Sequence, residues 1–147
     1  MNRILTGLAL FALACGGDKG ASAGSPQAQT AAPPAAPVHE VRMELVKGAF
    51  RFTPATLTIK PGDVVRWINW SGGPHNVAFK KDKIPSGAQE VLNAAMKGRV
   101  LNLGGPYIKD SLATYDVSFA GAPAGTYTYT CLPHELLGMT ATLTVAP

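Results

Sequence analysis

The sequence is poor in the groups that most binding and catalytic chemistries need. Charged residues make up only 15% of its 147 residues and aromatic residues 7%. The formal charge of +4 is spread without any long run of Lys or Arg. A basic patch interleaved with aromatics, the usual footprint of a nucleic-acid binder, is therefore missing, and nucleic acid is not an expected partner. Cysteine is scarcer still, with Cys15 and Cys131 alone, and the histidines are limited to His39, His75 and His134. Two cysteines cannot make a multi-bridge scaffold. A chain of this length with 46% hydrophobic residues buries one core and hardly two, and it shows no internal repeat.

The apolar run "ILTGLALFALA", Ile4 to Ala14, is too short to span a bilayer stably and follows Arg3, so it reads as an export signal. Two cleavage sites compete. The run ends in "ALAC", where Cys15 resembles the lipidated cysteine of a bacterial lipobox, although Ala12 stands where such sequences prefer Leu. The rival is an ordinary signal-peptidase site after "ASA", at Ala23. The first reading makes residues 1–14 the signal, Cys15 the lipidation site and membrane attachment a consequence. Residues 15–37, almost entirely Gly, Ala, Ser, Pro and Gln after the cysteine, have nothing large to bury and form a flexible tether. At about 3.3 Å per residue it reaches at most roughly 70 Å. His39, just beyond it, is expected to be a solvated tail residue.

From Val38 to Pro147 the texture changes to short alternating runs between Pro and Gly turns. "VRMELV" places Val41, Met43 and Leu45 on one face, and "TLTI" does the same for Leu57 and Ile59. "VVRWINW", "HNVAF", "LATYDVSF", "GTYTYTC" and "TATLTV" add further strands, with "KPGD" as a turn. Seven or so short strands predict an all-β Greek-key sandwich. One helical insertion is expected, "AQEVLNAAMK", in which Val91, Leu92, Ala95 and Met96 share a face.

The stretch "YTYTCLPHELLGM", Tyr127 to Met139, concentrates Cys131, His134 and Met139 on a strand end, the following loop and the start of the next strand. His75, in "SGGPHNVAF", lies at another loop-to-strand junction. Taken singly, a Cys or Met is usually core filler and a His near a turn is usually solvated. Jointly, C-x-x-H-x-x-x-x-M with an upstream His is a specific donor set. Two imidazoles, one thiolate and a weak thioether suit one copper ion that changes oxidation state without much rearrangement. Zinc fits less well, because thioether is a poor ligand for it. Cys131 is the only thiol left once Cys15 is lipidated or removed.

These motifs resemble the plastocyanin branch of the cupredoxins. The similarity runs over most of Val38 to Pro147 and rests on "FTPATLTIKPGDVV", "PHNVAF", "DKIPSGA" and "YTYTCLPHELLGM". The resemblance implies a cupredoxin fold with His75, Cys131 and His134 as equatorial copper ligands and Met139 as the axial one. It also implies that Asn76 ties the two ligand loops together and hydrogen-bonds near the thiolate. Thr130 stands where photosynthetic relatives commonly carry an aromatic residue before the ligand cysteine. Thr140 replaces a frequent Gly, the segment from Gly87 to Leu112 is longer than in compact relatives, and Lys80, Lys81 and Lys83 make one flank basic rather than acidic.

The implied function is single-electron transfer by Cu(I)/Cu(II) cycling. The expected partners are redox proteins that touch an apolar patch of Leu132, Pro133, Leu136 and Leu137, completed by Gly72, Gly73 and Pro74, in small transient encounters. The domain is expected to act as a monomer on the periplasmic or cell-surface side of a bacterial membrane. A catalytic copper needs further histidines and only His39 is left over, so no enzyme is expected. A copper carrier using the same four residues is the alternative, and reversible reduction of the bound metal separates the two.

Overall fold

The computed structural model describes residues 35–147. The expected signal sequence, the expected lipidation site Cys15 and most of the expected tether lie outside the described residues. Strands β1 (Val38–Val46), β2 (Ala49–Thr53), β3 (Thr56–Ile59), β4 (Val64–Asn69), β5 (Ala78–Phe79), β6 (Thr114–Ser118), β7 (Gly125–Thr130) and β8 (Thr140–Val145) make two four-stranded sheets, ordered β2-β1-β4-β6 and β3-β8-β7-β5. Each sheet mixes directions, since β1 runs parallel to β4 and β3 parallel to β8. This is the two-sheet Greek-key sandwich that the alternation predicts.

Alternation explains the layers. Val41, Met43, Val65, Trp67 and Val117 point inward from one sheet and Tyr127, Tyr129, Leu143 and Val145 from the other, all at most 1% exposed. Fully burying a large apolar side chain contributes about 1.5–3 kcal/mol, so this double layer dominates stability. Leu45 keeps the inward phase of β1 but lies at the rim, where it is 42% exposed. Strand β2, which was not among the expected strands, follows a tight turn in which Lys47 and Gly48 both take positive φ, 50° and 81°. Such a turn matches the twist of an antiparallel pair.

The segment "HNVAF" yields only a two-residue β5, because the main chain before it pairs elsewhere. His75 forms a bridge with Ile108, and the Gly105 N–H donates to the Val77 carbonyl at 2.9 Å. Ile108 and Gly105 belong to the long segment that follows helix α1 (Ala88–Ala95). The helix sends Leu92 into the core, and Met96 follows just past its end. The extra length thus braces the strand edge beside His75.

His39 is not a solvated tail residue. It lies in β1, and its Nε2 is 2.7 Å from Asp63 Oδ2 at the end of the sheet where β1 and β4 begin. Asp63 also accepts the Lys60 N–H at 2.9 Å, closing the turn before β4. That backbone bond, helped by His39, holds the Asp63 carboxyl below its ordinary pKa. A depressed carboxylate contributes stability above its unfolded pKa of about 3.9 and loses it as pH falls through the lower folded value. Asp63→Asn is therefore expected to lower the melting temperature at neutral pH and to reduce the loss of stability on acidification below pH ~4. Thermal melts across pH check this; a variant melting like the parent at every pH contradicts it.

Candidate metal centre

Two loops meet at the opposite end of β1 and β4. One follows β4 and carries His75; the other joins β7 to β8 and carries Cys131, His134 and Met139. After Cys131 the chain folds into a short 3-10 turn, Leu132–Leu137, with Pro133 near its start and Gly138 closing it at φ 83°. The turn reverses the chain within one ladder: the Cys131 N–H donates to the Met139 carbonyl and the Met139 N–H to the His134 carbonyl, both at 3.1 Å. Met139 is fully buried beside these residues.

Cys131 Sγ lies 3.5 Å from His75 Nδ1 and 3.4 Å from His134 Nδ1, and the two nitrogens are 3.2 Å apart. A near-equilateral triangle with these edges has its centre about 2 Å from each corner, close to the roughly 2.0–2.3 Å bonds that imidazole and thiolate make to a first-row metal such as zinc. No other group of three or more metal-ligating side chains occurs among the described residues. The donor set and its spacing fit one copper ion.

The surroundings leave the donor atoms free for a cation. His75 Nε2 is 2.9 Å from the Ser71 carbonyl, which fixes that nitrogen as the N–H donor and leaves the Nδ1 lone pair facing Cys131. Burial, the larger effect, lowers the His75 pKa despite this bond. Burial also lowers that of His134, assisted by His75. Both shifts favour the neutral imidazole. Burial pushes the Cys131 thiol up, only partly offset by the N–H groups of Asn76 and His134. A bound cation supplies the positive charge that such a thiolate needs, so loading releases a proton.

Asn76 joins the two loops. Its Oδ1 accepts the Leu132 N–H at 2.8 Å, its own N–H points at Cys131 Sγ at 3.5 Å, and its Nδ2 donates to the Gly105 carbonyl at 3.4 Å. Thr130 is buried, its hydroxyl donating to the Met139 carbonyl at 2.8 Å. Phe50 of β2 lies flat on the His134 ring, with centroids 3.7 Å apart and planes 10° from parallel, which fixes the plane of the imidazole. Neither Phe50 nor the Ser71 carbonyl stood out in the sequence. An aromatic in β2 gives no signal until its strand is placed beside the ligand loop.

The outer surface departs in part from expectation. Leu136 is fully exposed and Leu137 63% exposed, Pro133 is exposed, and Leu132 and His134 are half-buried. Lys80, one of the three lysines of the basic flank, is tied to Glu135 of the ligand loop at 2.6 Å. Lys81 and Lys83 remain exposed in a short 3-10 turn.

Residues 39–146 match the family model described as "Copper binding proteins, plastocyanin/azurin family". The chain is 39% identical over 105 residues to a plastocyanin of Scenedesmus fuscus, covering 71% of this chain and 96% of that protein. It is 37% identical over 110 residues to a plastocyanin of Nostoc punctiforme, covering 75% of each. Among solved structures, oxidised plastocyanin from Dryopteris crassirhizoma superposes with a TM-score of 0.54 at 27% identity, over 73% of this chain and 99% of that one. Pseudoazurin from Methylobacterium extorquens gives 0.52, also at 27% identity, over 74% and 75%.

Proposed function

The chain belongs to the plastocyanin/azurin family of copper-binding proteins, whose function is electron transfer, and we propose that its copper is held by His75, Cys131 and His134 with Met139 as a weaker axial ligand. The observation that carries this reading is the triangle of Sγ and two Nδ1 atoms about 2 Å from a common centre. Copper supplies one-electron redox chemistry when bound. The protein's part is to hold a nearly fixed donor set, through Asn76, Phe50 and the Ser71 carbonyl, so that little rearrangement accompanies the change of charge. Family members of this kind are electron carriers rather than enzymes. Reversible one-electron reduction of the copper-loaded domain tests the function, and a metal that exchanges freely but cannot be cycled favours a carrier.

Leu132, Pro133, Leu136 and Leu137 surround half-buried His134 and form the patch that a redox partner covers. Leu136→Glu places a charge where contact requires desolvation. It is expected to slow second-order electron exchange with a partner protein roughly tenfold, the equivalent of about 1.4 kcal/mol, while leaving the copper spectrum unchanged. An unchanged rate removes the patch from the route.

The domain works outside the cytoplasm, on the periplasmic or cell-surface side of a bacterial membrane, attached through acylated Cys15. Arg3, the apolar run and "ALAC" support this reading. Cys15→Ala is expected to block lipoprotein processing and move the protein out of the membrane fraction, because acyl chains supply the anchoring energy. Unchanged processing and partitioning favour cleavage after Ala23.

A further inference from the structure

A buried ligand limits the ways out of a copper site. His75 is 0% exposed, so its ring cannot touch a partner. Its Nε2–H, however, donates to the Ser71 carbonyl at 2.9 Å, and Ser71 is bonded to Trp70, whose side chain stands 43% exposed. One hydrogen bond and one peptide linkage thus connect a copper-facing imidazole to a surface indole without a through-space gap. The connection is rigid. The N–H groups of Trp70 and Ser71 both donate to the Met43 carbonyl, at 2.9 and 3.3 Å, and the Leu45 N–H donates to Ser71 Oγ at 3.1 Å.

Arg42 lies over the indole, its guanidinium carbon 4.2 Å from the ring centroid. Its neighbours across the sheet are Thr53 and Ile68, and it makes no ion pair among the described residues. An exposed aromatic capped by an uncommitted cation is a surface suited to an anionic partner. No comparable exit follows the ligand cysteine, since Thr130 and Tyr129 are at most 2% exposed. Tyr107, another exposed aromatic, adjoins Ile108, which bonds the main chain of His75 rather than its ring.

We propose that Trp70 and Arg42 form a second electron-transfer port, on the His75 side of the centre, for a one-electron redox protein that presents carboxylates. The port rests on the copper reading above. It works with the Leu136 patch as a separate docking face. In the step itself Cu(I) gives one electron to the oxidised partner and becomes Cu(II); no bond or proton moves, and the indole serves as the coupling medium without being oxidised.

The test is stopped-flow oxidation of the Cu(I) protein by hexacyanoferrate(III), an anionic one-electron acceptor that is reduced to hexacyanoferrate(II). Parent, Trp70→Leu, Arg42→Gln and the control Tyr107→Leu are compared after each is shown to have the parent's visible spectrum and reduction potential. A parent that shows no blue copper fails the copper reading itself, before the port is tested. Trp70→Leu is expected to react severalfold more slowly at every ionic strength. Arg42→Gln is expected to be slower at low salt and to approach the parent at high salt, as exposed charges are screened beyond about 8–10 Å. Tyr107→Leu should match the parent. Redox-inert hexacyanocobaltate(III) should shift the Trp70 indole N–H resonance of the Cu(I) parent and not that of Arg42→Gln. Rates in Trp70→Leu and Arg42→Gln equal to the parent's across the salt series, with an unmoved indole resonance, overturn the port.

Discussion

Replacing Cys131 by Ser is expected to abolish the blue absorption completely, because the intense band requires a thiolate bonded to copper and a hydroxyl offers neither the charge nor the polarisable sulfur. The substitution removes few atoms, so the fold should persist. What it removes is the corner shared by both short Sγ to Nδ1 approaches of 3.4 and 3.5 Å, leaving two imidazoles and a buried thioether. Met139→Gln is the complementary change. It keeps the triangle and, with Met139 as the weaker donor proposed above, should remain blue with an altered reduction potential. Visible spectra and voltammetry of the two variants side by side check the assignment, and an intensely blue Cys131→Ser protein refutes it.

Asn76→Ala is expected to have the next largest effect, on both stability and metal retention. Asn76 is 0% exposed and its Oδ1 is the acceptor for the Leu132 N–H at 2.8 Å. Truncation leaves that donor without its partner, at a cost of about 1–3 kcal/mol. For a domain of this size a loss of 1 kcal/mol lowers the melting temperature by roughly 4 °C, so a drop of at least ~4 °C is expected. The same bond holds the start of the Cys131 loop to the residue after His75. Its loss should loosen the two loops relative to one another and speed copper release to a chelator. A variant that melts and releases copper like the parent makes Asn76 an ordinary turn residue.

How much of this was legible in the sequence depended on how local each feature is. Strands such as β3 and β8 announce themselves through alternation, because period-two patterning is a property of consecutive residues. The loop from Cys131 to Met139 was readable for the same reason, its spacing fitting a single turn closed by Gly138. Features built by the sheet topology were not readable. Phe50 reaches His134, Asn69 Nδ2 bonds the carbonyls of Ile108 and Asp110, and His39 meets Asp63 only once parallel β1 and β4 are side by side. Lys80 looked like free positive charge because Glu135, its partner, is far along the chain. As a half-exposed pair it adds little stability, yet it removes one charge from the basic flank. Strand β2 gives little signal because "AFRFT" is short and follows a turn whose Lys takes a positive φ, a conformation that side chain does not advertise.

Convergence of His75, Cys131 and His134 on one copper has a direct spectroscopic consequence. Adding one equivalent of Cu(II) to the purified domain and recording its visible spectrum tests this most directly. An intense blue thiolate-to-copper band that saturates at one copper per chain is the predicted result. A colourless protein, or a pale spectrum without that band, contradicts it.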